Sequence, residues 1–90
     1  MNNLVIVGTL KERVSQKYLI INVKNNTEDS FDLRVFVPFG DKIDDYLLKE
    51  GSLIAVKGHL ISDTLYGIMV CADKCSFLSN SKEGVNNVNS

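Results

Sequence analysis

The sequence predicts an all-β protein: a small closed barrel of five strands with one helix between the third and the fourth. Three observations carry this prediction. Apolar and β-branched residues fall in short runs bounded by polar turns, namely "NLVIVGTL", "YLIINVK", "FDLRVFVPF", "SLIAVKGHLIS" and "IMVCADKCSFL", and such runs read as strands. A single segment, "DKIDDYLLKE", has helical spacing. Gly8 and Gly58 sit inside hydrophobic strands. Glycine weakens a strand interior and persists where the chain bends sharply or another backbone comes close, both of which a small barrel demands.

The elements follow in order. Residues 3–10 are nearly all apolar and read as a strand buried on both faces, ending at Thr9-Leu10. The polar "KERVSQK", 11–17, reads as a loop. In the second strand, 18–24, Leu19, Ile21 and Val23 share one side while Tyr18, Ile20, Asn22 and Lys24 share the other. "NNTEDS", 25–30, is a turn. The third strand spans 31–39, with Pro38 marking its end or a bulge. The helix, 41–50, places Ile43, Tyr46 and Leu47 at helical spacing. Asp41, Asp44 and Asp45 sit in its first turn, where the helix dipole favours acids, and Gly51 supplies its stop. The fourth strand, 52–62, has Ile54, Val56, Gly58 and Leu60 on one face and Leu53, Ala55, Lys57 and His59 on the other. A turn, "DTLYG", leads to the fifth strand, 68–78. The polar, Asn-rich stretch 79–90 has no periodicity and is expected to be a disordered tail, leaving 1–78 as the folded domain.

Composition bounds the function. Ninety residues make one domain, able to bury about 60–65% of its unfolded surface. No apolar run approaches the ~20 residues of a membrane span, and "MNNLVIVGTL" lacks the basic region of a signal peptide. The expectation is a cytoplasmic protein with no membrane partner. Net charge is −1, but it is unevenly placed: residues 1–25 carry +3, residues 26–50 carry −4 and the remainder is balanced. The first segment can present a modest positive surface, although the same charges also serve solubility. Cys71 and Cys75 are four residues apart in a strand, roughly 13 Å, whereas a disulfide needs about 4.4–6.8 Å. With one histidine in the chain, no metal set is evident. Buried thiols in a reducing compartment are the simpler account. Phosphate-loop and dinucleotide signatures are absent, and His59 has no partnered nucleophile. The chain is expected to be no enzyme and to need no cofactor.

Three strands, one helix and two strands is the order of the OB fold. The residues also resemble a family. Gly8-Thr9-Leu10, Phe39-Gly40, Glu50-Gly51-Ser52, Gly58-His59-Leu60, and Ala72-Asp73 through Phe77-Leu78 occur in an order and spacing similar to bacterial single-stranded DNA-binding proteins of the SSB type. The small primosomal protein of the replication-restart system shares much of this pattern. The resemblance covers nearly all of residues 1–78. It implies a homo-oligomer that binds single-stranded DNA in replication, recombination or repair, without sequence preference. The chain departs from the family in lacking tryptophan, in the short hairpin "SDTLYG", and in having Leu33 and Val35 where the family has an aromatic and often a basic residue. The missing tryptophan and the short hairpin, with the zero-to-negative charge, favour an alternative: a protein–protein adaptor of a replication assembly with weak or no DNA binding.

Binding single strands requires cations for phosphates and flat side chains for bases. By the resemblance, Phe39 occupies a stacking position; by period-two alternation, Phe31, Leu33, Val35, Val37 and Phe39 form a core face. Tyr18, beside Lys17, and Tyr66, in the hairpin turn, are candidate stackers or plain surface tyrosines. Lys11, Arg13, Lys17, Arg34 and Lys57 are candidate phosphate contacts, with His59 on the same face as Lys57.

Overall fold

The computed structural model describes residues 2–25, 28–78 and 85–89. They form six strands: β1 (Asn3–Ser15), β2 (Tyr18–Lys24), β3 (Ser30–Phe36), β4 (Leu53–Asp63), β5 (Gly67–Leu78) and β6 (Val85–Asn89). The sheet order is β3-β2-β1-β4-β5-β6, and a parallel pairing of β3 with β5 closes the first five strands into a barrel. β1 serves two neighbours. Its first half pairs with β4 from Asn3↔His59 to Thr9↔Leu53, and its second half pairs with β2 from Thr9↔Asn22 to Ser15↔Tyr18. The strand must therefore bend where the two halves meet, at Gly8-Thr9.

Gly8 and Gly58 owe their place to close approach. A Cβ on Gly8 would strike the Asn22 carbonyl oxygen and lie 2.6 Å from the Ile21 Cγ2. A Cβ on Gly58 would strike the Cys71 carbonyl oxygen and lie 3.2 Å from the Ala72 Cα. Gly58 also sits at a register shift, since Lys57 faces Lys74 while Gly58 faces Ala72. Asp73 is the extra residue of that bulge, and bulges of this kind bend the strand and raise its twist.

The core holds Leu10, Leu19, Ile21, Val35, Val37, Phe39, Ile54, Val56, Val70, Ala72, Cys75 and Phe77, capped by Ile43 and Leu48. The alternations read for the second and fourth strands place these side chains as expected. Burial pushes the Cys75 thiol up to about 12, because a thiolate in an apolar interior loses its hydration.

Four expectations need correction. The polar run 11–15 is strand, not loop: its backbone completes the ladder with β2 while its side chains face outward or toward the barrel's end. The first strand is not buried on both faces, for Val5 and Val7 are 68% and 51% exposed. Residues 41–50 do not form an α-helix. Two single 3₁₀ turns, Gly40–Lys42 and Asp45–Leu47, flank an extended Ile43 with ψ of 127°. Ile43 and Leu48 are both buried, and residues five apart on one helix point about 140° away from each other. Breaking the helix lets both face the barrel. Finally, Val85–Asn89, placed in the expected disordered tail, pair with β5 from Leu78↔Val85 to Lys74↔Asn89. β3 covers the β5 edge only at Val70 and Cys71, and β6 satisfies backbone groups further along that edge. The rest of that tail, 79–84 and 90, lies outside the described residues. No described helix is long and apolar enough to cross a membrane.

Candidate nucleic-acid interface

The outward side chains of β2 and β3 stand opposite one another in rows: Tyr18 with Phe36, Ile20 with Arg34, Asn22 with Asp32. Period-two geometry puts all six on one face of the barrel. The β4–β5 hairpin adds Tyr66. Its tip is tied by the Asp63 carboxylate, which accepts the backbone N–H groups of Leu65 and Tyr66 at 2.9 Å each. This is the local turn for which Asp is suited.

At one end of the face these residues form an aromatic cluster. The Tyr18 and Phe36 rings are 5.1 Å apart, and the Tyr18 and Tyr66 rings are 6.5 Å apart, both tilted. The Arg34 guanidinium lies 4.2 Å from the centre of the Tyr66 ring, within cation–π range. Met69 is buried yet stands outside the main core. The register Val35↔Val70 places it beside Arg34 along the seam. The arrangement offers flat rings with a fixed positive charge beside them, which suits a stacked base and its phosphate.

Further along, the face becomes polar. Asp32 accepts a hydrogen bond from the Asn22 amide at 2.9 Å and pairs with the Lys11 ammonium at 2.5 Å. The same amide donates to the Ser30 hydroxyl at 3.2 Å. The Asn22 and Lys11 bonds hold the Asp32 carboxyl below its ordinary range. Reciprocally, Asp32 raises Lys11. Both side chains stay charged throughout the neutral range.

The structure thus brings Tyr18, Tyr66 and Arg34 together, with Lys17 exposed beside Tyr18. It does not place the other candidates with them. Phe39 is 2% exposed and packed in the core, so its ring has no free face for a base. β3 ends at Phe36, and no bulge at Pro38 turns Phe39 outward; the core alternation prevails. Arg13 stands opposite the core residue Leu19 and is drawn to Asp45 at 2.6 Å, at the barrel's end. Lys11 is engaged by Asp32. Lys57 lies in the row Val5–Lys57–Lys74 on β1, β4 and β5, away from the rings. His59 shares a row with Cys71 and Phe36, two strand spacings or roughly 10 Å from Phe36. Its Nδ1 is 3.2 Å from Asp73. Sequence reasoning missed Phe36. The signal was present: if Val35 and Val37 face the core, Phe36 faces out.

No protein-family model and no curated protein matches this chain. Solved structures do. The N-terminal domain of the PriB protein from Thermoanaerobacter tencongensis, solved as a dimer, superposes over 99% of this chain and 98% of its own, with a TM-score of 0.61 and 15% identity. The mitochondrial single-stranded DNA-binding protein Rim1 from S. cerevisiae covers 91% of this chain and 98% of its own, with a TM-score of 0.55 and 15% identity. This likeness establishes the fold, a five-stranded OB barrel, and extends the resemblance seen in the sequence from motifs to architecture.

Proposed function

We propose that this protein binds single-stranded DNA across the outer face of β2 and β3, in replication, recombination or repair, and is not an enzyme. The cluster of Tyr18, Phe36, Tyr66 and Arg34 carries this reading. Rings on a strand face, one of them under a guanidinium, take any base by its flat surface. The similarity to a single-stranded DNA-binding protein of the same fold supports it. Labelled dT oligomers titrated with the protein should show saturable anisotropy that weakens with salt. Besides Lys11, which Asp32 engages, Arg34, Lys17 and Lys24 are cations on or beside this face, and three phosphate contacts give a slope of about −2 in log affinity against log salt. Absence of binding at low salt would overturn the reading. It would leave the protein–protein adaptor, which the net charge of −1 favours.

The protein acts as a homo-oligomer in this proposal. Val5 and Val7 are exposed on one face of the barrel, and their neighbours across β4 include Ala55, half-buried on the same face. Exposed apolar strips of this kind mark protein contacts, and a similar barrel is a dimer. Replacing both Val5 and Val7 with lysine should turn a dimer into a monomer by light scattering, with the β-sheet circular dichroism retained. A wild-type protein that is already monomeric at tens of micromolar would end this part of the proposal.

A further inference from the structure

We infer that Asp32 makes this face prefer cytosine over thymine at the position next to the aromatic cluster, an inference that rests on the binding reading above. Asp32, Arg34 and Phe36 alternate along β3 and share its outer side. A base stacked on the rings, or on the cation beside them, leaves its neighbour over the Asn22–Asp32 row. The group waiting there is an ionised carboxylate on a partly open surface, its side chain 40% exposed.

Each carboxylate oxygen has two acceptor positions. Asn22 occupies one on Oδ1 and Lys11 one on Oδ2, so acceptor capacity remains on both. A phosphate is repelled here. Among pyrimidines, cytosine presents an exocyclic amino group, the donor to which Asp and Glu side chains pair. Thymine carries a carbonyl oxygen at that ring position, and its one ring donor, N3–H, lies between two carbonyl oxygens that a carboxylate repels, so it is the poorer partner. The two bases have similar ring size, so stacking changes less than hydrogen bonding. Asn22 cannot supply an equivalent preference for thymine, because its amide N–H bonds are directed to Ser30 and Asp32.

The test compares labelled dC and dT oligomers of equal length at pH 7.5, with wild-type protein, Asp32→Asn and Lys11→Gln. Wild type should bind dC about fivefold more tightly, the scale of one modest base contact. Asp32→Asn presents an amide that accepts or donates, and it frees Lys11 for phosphate. It should bring the two affinities together while raising that for dT. Lys11→Gln keeps the carboxylate and should keep or widen the preference for dC. Equal wild-type affinities, a preference for dT, or a dC preference that survives Asp32→Asn would overturn the inference while leaving single-strand binding standing. Failure of both oligomers to bind would instead remove the binding reading on which it rests.

Discussion

Tyr66→Ala should weaken binding of a dT oligomer by roughly five- to 150-fold, the range set by about 1–3 kcal/mol per stacked base. The same change should leave thermal stability nearly untouched. Tyr66 stands in the hairpin turn, is exposed, and carries the Arg34 guanidinium over its ring. Removing it deletes a stacking surface and frees the cation from its fixed position. Phe36→Ala should act in the same direction, since that ring supports Tyr18. Phe39→Ala should behave in the opposite way. Its ring is buried, so truncation costs about 3–5 kcal/mol of stability and affects binding only by unfolding. Anisotropy titrations paired with melting curves separate the cases. Unchanged affinity in Tyr66→Ala together with Phe36→Ala would show that bases do not rest on this cluster.

The second large effect concerns the barrel. Gly58→Ala should destabilise the protein by about 3 kcal/mol or more, beyond the usual cost of overpacking. The added methyl meets backbone, the Cys71 carbonyl and the Ala72 Cα, and backbone held in a bulged ladder cannot move aside as a side chain tip can. Urea unfolding measures the loss. A midpoint equal to that of wild type would mean that β4 and β5 can part at this point without cost, contrary to the pairing that surrounds it.

Much of the fold was legible because burial repeats with the strand period. Leu19 and Ile21, then Ile54 and Val56, announce their inward faces, and misplaced glycines announce the bends. What escaped was determined by pairing rather than by side-chain character. Residues 11–15 join β1 because β2 requires a partner for its backbone, and polar side chains suit that outer surface. The segment 41–50 has the composition of a helix, but the separation of Ile43 and Leu48 forces a break that local propensity does not reveal. β6 rests on an edge of β5 that becomes visible only when the barrel closes. The site divides the same way. Tyr18, Arg34 and Tyr66 were recognisable as chemistry, yet their meeting depends on the hairpin folding over β3, and Asp32 gained its meaning only from the row it shares with Asn22.

The parallel seam between β3 and β5 has a further consequence. It consists of two residue pairs, Val35 with Val70 and Phe36 with Cys71, joining parts of the chain far apart in sequence. Closing such a contact is entropically late in folding, and a short ladder is a natural place for the closed barrel to breathe. Arg34 lies on one side of this seam and Tyr66 on the hairpin at the other, so a nucleic-acid strand held by both, as proposed, would act as a clasp. It would draw binding free energy from the closed form alone, and by mass action the occupied barrel would open less often than the empty one.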